Sequence, residues 1–337
     1  MKEILKKILE GNDLDFNDAS DVMNSIMAGS VTDSQIGAFL AAEKIKGETV
    51  EELTAFAKVM REKSVKINLA DKNAIDMCGT GGDGRGTFNI STVASFVAAG
   101  AGVTVAKHGN KSVSSSCGSA DLLKELGVDI SIEPFKVEKC INEIGIGFMF
   151  APIFHPAMKL VSKLRSELGV KTFFNIMGPL TNPAEVNYQM IGAYNLDVAK
   201  KIIEILKRLC TKKSAALHSS DGLDEISLSG KTCIFEIAEN EDLKSFEIHP
   251  KDFGLELCDI SDLTGGTPEQ NASICLEVLN NKKNPKRDIV LLNAAYAIYI
   301  SGKAETPRDG FQKAVDSLEN GRAWQKLNQL IEFTKSI

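Results

Sequence analysis

Asp76-Met77-Cys78-Gly79-Thr80-Gly81-Gly82-Asp83-Gly84-Arg85-Gly86-Thr87-Phe88-Asn89-Ile90-Ser91-Thr92 follows the short apolar run Ala74-Ile75 and opens into a helical pattern from Ser91 to Ala101. Five glycines fall within eight residues, so this strand-to-helix connection is stripped of side chains. Backbone N–H groups can then approach an anion closely, and the helix N-terminus adds the positive end of its dipole. Thr80, Thr87, Ser91 and Thr92 add hydroxyl donors. The stretch reads as a phosphate cradle of neither standard kind. It lacks the Gly-Lys-Ser/Thr ending of a P-loop, and its glycines are not read as a dinucleotide fingerprint.

Upstream of the cradle, residues 1–65 read as helix throughout. Thr32-Asp33-Ser34-Gln35 and Thr49-Val50-Glu51-Glu52 fit the capping box, with Ile36, Phe39, Leu40 and Leu53, Phe56, Ala57, Met60 following at helical spacing. From about Ala74 onward, short β-type runs (74–77, 103–107, 146–150, 190–194, 214–219, 232–237) alternate with helical ones. The latter include 91–101, 119–126, 136–144, 197–209, 267–280, 288–301 and 308–318, with the polar stretch Asn280 to Arg287 as a surface loop. Such alternation predicts a largely parallel sheet covered by helices. The fold class expected is therefore α/β, with a small all-helical N-terminal domain and a larger α/β domain around a mostly parallel central sheet.

Three further stretches fall where open α/β sheets place ligands, at strand ends. Lys107-His108-Gly109-Asn110 ends the second strand. Ser112 to Ser119, with five serines ahead of a helix, is either a second anion site or a polar loop with a serine N-cap. Asp221-Gly222-Leu223-Asp224-Glu225 follows the strand Ala215 to Ser219. Adjacent carboxylates there are either solvated turn residues or, beside a polyphosphate site, holders of Mg²⁺. Arg165 lies in a helical pattern, Pro156 to Leu168, as an exposed helix arginine or as a bidentate clamp for a carboxylate. His155 precedes Pro156 and sits at an element boundary. The four histidines, at 108, 155, 218 and 249, have no zinc-ligand spacing, and His249 is assigned no role.

Composition narrows the classes. The chain has 337 residues, 43% of them hydrophobic, and a formal net charge of −6, which disfavours nucleic-acid binding through bulk charge. Seven cysteines carry no Cys-x-x-Cys pair, as expected of free thiols in a reducing compartment. The N-terminus turns amphipathic at once, and no apolar stretch approaches the ~18 residues that span a bilayer. A cytoplasmic protein with no membrane partner is expected.

Together these pieces resemble the anthranilate phosphoribosyltransferases over nearly the whole length. The resemblance rests on Gly79-Thr80-Gly81-Gly82-Asp83, Thr87-x-Asn89-x-Ser91-Thr92, Lys107-His108-Gly109-Asn110 and Gly118-Ser119-Ala120-Asp121. It continues through Phe150-Ala151-Pro152, His155-Pro156-Ala157-Met158, Arg165, Phe174-Asn175, Gly178-Pro179-Leu180-Thr181-Asn182-Pro183, Asp221 to Glu225, and Asn293-Ala294-Ala295. It implies a nucleoside phosphorylase/phosphoribosyltransferase-like architecture. A helical domain, residues 1–66 with part of 160–180, would be hinged to an α/β domain, residues 67–337, with the site between them. It also implies Mg²⁺ as cofactor, a homodimer formed through the helical domains, and tryptophan biosynthesis as the setting. Anthranilate synthase is a partner it admits.

Matched residue by residue, the resemblance assigns Gly79, Gly82, Asp83, Thr87, Asn89, Ser91, Thr92, Lys107 and Ser119 to phosphoribosyl diphosphate. Gly79, His108, Asn110, His155, Arg165 and Gly178 go to anthranilate, and Ser91, Asp224 and Glu225 to the metal. Departures are Lys111, Lys171 and Ser116, where Arg, Arg and Lys are usual, and Ser219 and Lys163, where Gly and Pro are usual. Two rivals share the architecture: a pyrimidine nucleoside phosphorylase and a non-enzymatic nucleic-acid binder. Lys107 to Asn110 and Gly178 to Pro183 favour the transferase over the first; the negative charge and Arg165 speak against the second.

Overall fold

The computed structural model describes residues 1–112 and 116–336; within the serine-rich stretch, Val113, Ser114 and Ser115 lie outside the described residues. The chain begins with four helices, α1 (Lys2–Leu9), α2 (Phe16–Met27), α3 (Asp33–Lys46) and α4 (Val50–Glu62). Both expected capping boxes form: Thr32 with Gln35 opens α3, and Thr49 with Glu52 opens α4. Phe39 and Phe56 meet edge to face with ring centroids 5.9 Å apart.

The α/β part then runs β1 (Ile75–Gly79), α5 (Ile90–Gly100), β2 (Val105–Gly109), α6 (Ser119–Glu125), α7 (Pro134–Ile144) and β3 (Ile146–Phe150). Next come α8 (Ala151–Phe154), α9 (Lys159–Leu168), α10 (Phe174–Leu180), β4 (Tyr188–Gly192), α11 (Leu196–Arg208), β5 (Lys213–Ser219), β6 (Thr232–Ala238) and β7 (Lys244–Ile248). The chain closes with α12 (Pro268–Leu279), α13 (Pro285–Ile300), α14 (Pro307–Glu319) and α15 (Arg322–Lys335). One sheet holds all seven strands in the order β3-β2-β1-β4-β5-β6-β7. The first five run parallel, and β6 and β7 turn back antiparallel. Strand order reverses between β1 and β4, so a crevice opens at their carboxyl ends, where Gly79 pairs with Gly192.

Side chains alternate across the sheet with the two-residue period of a strand. Met190, Ala215, Leu217 and Ile234 face a core built from α5 and α12 to α15, whereas Ile191, Ala216 and Phe235 face a second core. That second core is shared with α2 to α4, α10 and α11, and with Val161 and Phe173. Phe173 packs between Phe39, at 6.1 Å, and Phe56, at 4.6 Å. Burying a ring of this kind stabilises by about 2–3 kcal/mol, so the 160–180 segment is held against the N-terminal helices by its own apolar side chains.

Arg61 of α4 crosses from the helices to the sheet. It is buried, its Nε donates to the Leu180 carbonyl at 2.6 Å, and its Nη2 donates to Gln189 Oε1 at 3.1 Å. Among the described residues, no helix is long and apolar enough to cross a membrane.

The expected helix Pro156 to Leu168 is broken. Its first turn is a 3-10 turn, Pro156–Met158, and α9 begins at Lys159. The surface loop expected to reach Arg287 ends sooner, because Asn284 caps Arg287 N at 2.9 Å and Pro285 starts α13. The edge strand β7, four of whose five residues are exposed, was not anticipated; it has little apolar alternation to reveal it.

Candidate active site

The cradle lies in the crevice between β1 and β4. Gly81, Gly82, Gly84 and Gly86 all have positive φ, between 64° and 78°, a region L-residues with side chains rarely enter. Gly79 and Gly192 are glycines for another reason: a Cβ on either would run into Asp224. Gly79, Gly81 and Gly84 do stand at the spacing of a dinucleotide fingerprint, a correction to the motif reading. The helix that should follow at once does not, for α5 begins only at Ile90, and residues 85–89 form a wide loop.

Asp224 and Glu225 secure the loop from the β5 side. Asp224 Oδ2 accepts Gly81 N–H at 2.8 Å, and Glu225 Oε1 accepts Ser91 N–H at 3.0 Å at the start of α5. Asn293, buried on α13, holds the turn by exchanging hydrogen bonds of 2.9 Å with both backbone groups of Ile226. Both carboxyls titrate well above the usual range: burial comes first, then the neighbouring carboxylates, Asp83 for Asp224 and Asp224 for Glu225. Lys107 is the buried cation nearby, but its Nζ donates to the Met77 carbonyl at 2.5 Å. This carboxylate group is therefore short of positive charge, which fits a divalent cation. Among the described residues, no trio of His, Cys, Asp or Glu is gathered to hold a metal unaided. That suits Mg²⁺, which draws much of its shell from water and phosphate oxygens.

The other cradle residues surround this core. Asn89 Nδ2 donates to the Cys117 carbonyl at 3.0 Å, and its Oδ1 accepts from Asn271 at 3.0 Å, which ties the loop to α12. Thr87 bridges to Thr264, and Thr92 is buried in the first turn of α5. Ser119 Oγ donates to the Asn110 carbonyl at 3.3 Å, while the Asn110 side chain accepts Lys111 N–H at 2.8 Å. Ser116 donates to the Gly266 carbonyl at 2.8 Å.

At the end of β2, His108 comes together with His155 and Gly178. The two imidazoles lie 5.0 Å apart by centroid, and His108 Nδ1 is 3.2 Å from the Gly178 carbonyl. A carbonyl only accepts, so Nδ1 carries the proton and Nε2 is a bare acceptor. Burial pushes His108 down to about 3 and His155 to about 4, so both rings are neutral near pH 7. Among the described residues, each leaves its Nε2 buried with no hydrogen-bond partner, an uncommon state for a buried polar atom. Arg165 lies in the last turn of α9 with its guanidinium 5.1 Å above the Phe174 ring. Among the described residues, no ion pair or hydrogen bond occupies it. It therefore stands as a cation with its hydrogen-bonding fork unused.

Several supporting residues were not anticipated. Asp76, fully buried, accepts His108 N–H at 3.2 Å and Asn182 Nδ2–H at 2.8 Å; with Asn182 it sets the His108 backbone. The buried position of a lone Asp inside an apolar strand is the one signal that could have raised it. Arg61 carries no such mark.

Comparison with known proteins agrees with this geometry. The helical bundle domain of the glycosyl transferase family matches residues 2–64, and the a/b domain of the same family matches residues 71–324. An anthranilate phosphoribosyltransferase of Methanobrevibacter smithii is 47% identical over 336 residues, covering 100% of both chains. The crystal structure of anthranilate phosphoribosyltransferase from Thermus thermophilus superposes with a TM-score of 0.93 at 38% identity, over 98% of this chain and 99% of that one. The Saccharomyces cerevisiae enzyme in complex with PRPP and Mg superposes with a TM-score of 0.91 at 31% identity, over 99% and 98%. With both domains matched and the relatives aligned from end to end, the chain belongs to the anthranilate phosphoribosyltransferase family.

Proposed function

We propose that the two walls of the crevice divide the family's reaction, the glycine loop holding the phosphoribosyl donor and the histidine–arginine wall holding the acceptor. The reaction is transfer of the phosphoribosyl group of phosphoribosyl diphosphate to the amine of anthranilate, giving N-(5-phosphoribosyl)anthranilate and diphosphate, in tryptophan biosynthesis. The C1–O bond to diphosphate breaks, its electron pair leaving with diphosphate; the amine nitrogen forms the new bond to C1 and sheds one proton.

Gly79, Gly82, Asp83, Thr87, Asn89, Ser91, Thr92, Lys107 and Ser119 are assigned to the donor. Their amides and hydroxyls meet charge that grows on the leaving diphosphate, which is where preorganised donors act most strongly. Ser91, Asp224 and Glu225 would hold Mg²⁺, which supplies electrostatic stabilisation of that leaving group. The crowding of carboxylates short of cations supports this, as does Mg in the Saccharomyces cerevisiae complex. Gly79, His108, Asn110, His155, Arg165 and Gly178 are assigned to anthranilate. Arg165 suits its carboxylate with a planar fork, and neutral His108 Nε2 suits an amine hydrogen. An aryl amine is uncharged near pH 7, so positioning rather than a strong base carries the step.

We further take residues 1–66 with part of 160–180 as one body moving against 67–337. We take the chain as a cytoplasmic homodimer joined through its helices, open to association with anthranilate synthase. Exposed Leu9 and Ile45 on the helical part support the dimer. The observation that carries the functional reading is the pair of unpartnered buried imidazole nitrogens at His108 and His155. The test is loss of anthranilate fluorescence on mixing with phosphoribosyl diphosphate and Mg²⁺. Turnover that needs all three supports the reading, and no loss of fluorescence with folded protein overturns it.

A further inference from the structure

Residues 169–173 join α9, which carries Arg165, to α10, which carries Gly178. In the middle stands Lys171. Its Nζ donates to the Gly82 carbonyl at 3.3 Å and lies 4.9 Å from the centroid of the Tyr194 ring. Both contacts belong to the donor side: Gly82 is in the glycine loop, and Tyr194 N–H donates to Thr80 Oγ1 of that loop at 3.2 Å. Two residues on, Phe173 is buried between Phe39 and Phe56 of the N-terminal helices. One short segment is thus fixed to the helices by an aromatic ring and rests a positive charge on the phosphate loop. Asp224 takes the Gly81 N–H and Lys171 the Gly82 carbonyl, so the loop is gripped from both sides at adjacent residues. Among the described residues no carboxylate forms an ion pair with Lys171. An ammonium has three donors, and one spent on a carbonyl leaves two for a phosphate oxygen.

Building on the donor–acceptor division above, we propose that Lys171 is a positioning residue that couples the two substrate sites. Diphosphate in the glycine loop draws the ammonium toward it, and the backbone that carries Lys171 brings Arg165 and Gly178 into register for the acceptor. Binding of either ligand then favours the other by the same factor, as linkage requires.

The experiment titrates anthranilate fluorescence on the full chain with and without Mg²⁺ and inorganic diphosphate, a pair that fills the cradle without permitting transfer. The wild-type chain binds anthranilate roughly tenfold more tightly with Mg²⁺ and diphosphate present, within the usual range of such couplings. Lys171→Met keeps the affinity for anthranilate alone and loses the enhancement; Lys171→Arg restores most of it. In turnover at saturating donor, Lys171→Met raises the KM for anthranilate more than it lowers kcat. An enhancement that survives in Lys171→Met, one absent from the wild type, or an equal loss of anthranilate affinity with and without diphosphate overturns the proposal. A wild-type chain that neither binds anthranilate nor turns it over overturns the functional reading itself, an outcome separable from failure of the coupling alone.

Discussion

The two walls of the crevice are built from opposite materials. The wall proposed for the donor offers backbone: four glycines at positive φ, a helix start, and acidic side chains that hold the loop from behind. The wall proposed for the acceptor offers side chains: two buried neutral imidazoles and one guanidinium, each with hydrogen-bonding capacity unused among the described residues. A backbone cradle suits a ligand that carries many equivalent oxygens and can be met from many angles. A side-chain wall suits a small flat ring with one carboxylate and one amine, where each group must find a particular partner.

The largest effect should come from the carboxylates behind the donor wall. Asp224→Ala with Glu225→Ala should lower kcat/KM by about a thousandfold, on the order of 4 kcal/mol, since losing a metal clamp removes several kcal/mol of charge stabilisation. The variant should still fold, melting in one cooperative transition at a midpoint lowered by the lost bonds to Gly81 and Ser91. Near-normal activity at limiting Mg²⁺ would erase the contrast between the walls.

The acceptor wall should show itself in acid. His108 and His155 are held below their ordinary value, so the unfolded chain binds protons that the folded chain does not. Stability therefore declines as pH falls from about 6.5 toward about 4, each ring contributing on the order of 3 kcal/mol at the lower end. His155→Gln should flatten this loss in urea titrations run at several pH values; an unchanged slope would mean the ring is not buried neutral.

Gly81 separates backbone conformation from crowding, for nothing lies within 4 Å of where its Cβ would stand. Gly81→Val should cost about 1–2 kcal/mol through its φ alone, and should raise the KM for phosphoribosyl diphosphate roughly tenfold. If only anthranilate kinetics change, the walls have been assigned the wrong way round.

Arg165→Ala should weaken catalytic efficiency toward anthranilate about tenfold, near 1.5 kcal/mol, as expected for one charge-assisted hydrogen bond. Arg165→Lys should recover part of that, since it keeps charge but not the fork. A defect confined to donor binding would count against a clamp on the acceptor.

The donor wall was the more legible of the two, and the reason is physical. A loop of glycines ahead of a helix announces its backbone directly, and the capping boxes at Thr32 and Thr49 are likewise contained within four residues. The contacts that finish the site span the chain: Asp224 meets Gly81 across 143 positions, Asn182 meets Asp76 across 106, and Arg61 meets Leu180 across 119. No local pattern encodes such pairs. The roles of Arg165, His108 and His155 came from resemblance rather than from their surroundings in sequence, where each has an ordinary alternative. Strand β7 escaped notice because an exposed edge strand buries no face to impose a period of two.

Arg61 has a mechanical consequence. Its guanidinium is out of reach of water and bonded at once to the end of α10 and to β4. Shearing the helices along the sheet would leave those donors bare in a dry interior, at the steep cost of an unpaired buried charge. Sliding is therefore disfavoured. A rotation of the helices that kept both bonds would pivot at Arg61, and the crevice rim would travel an arc in proportion to its distance from that point.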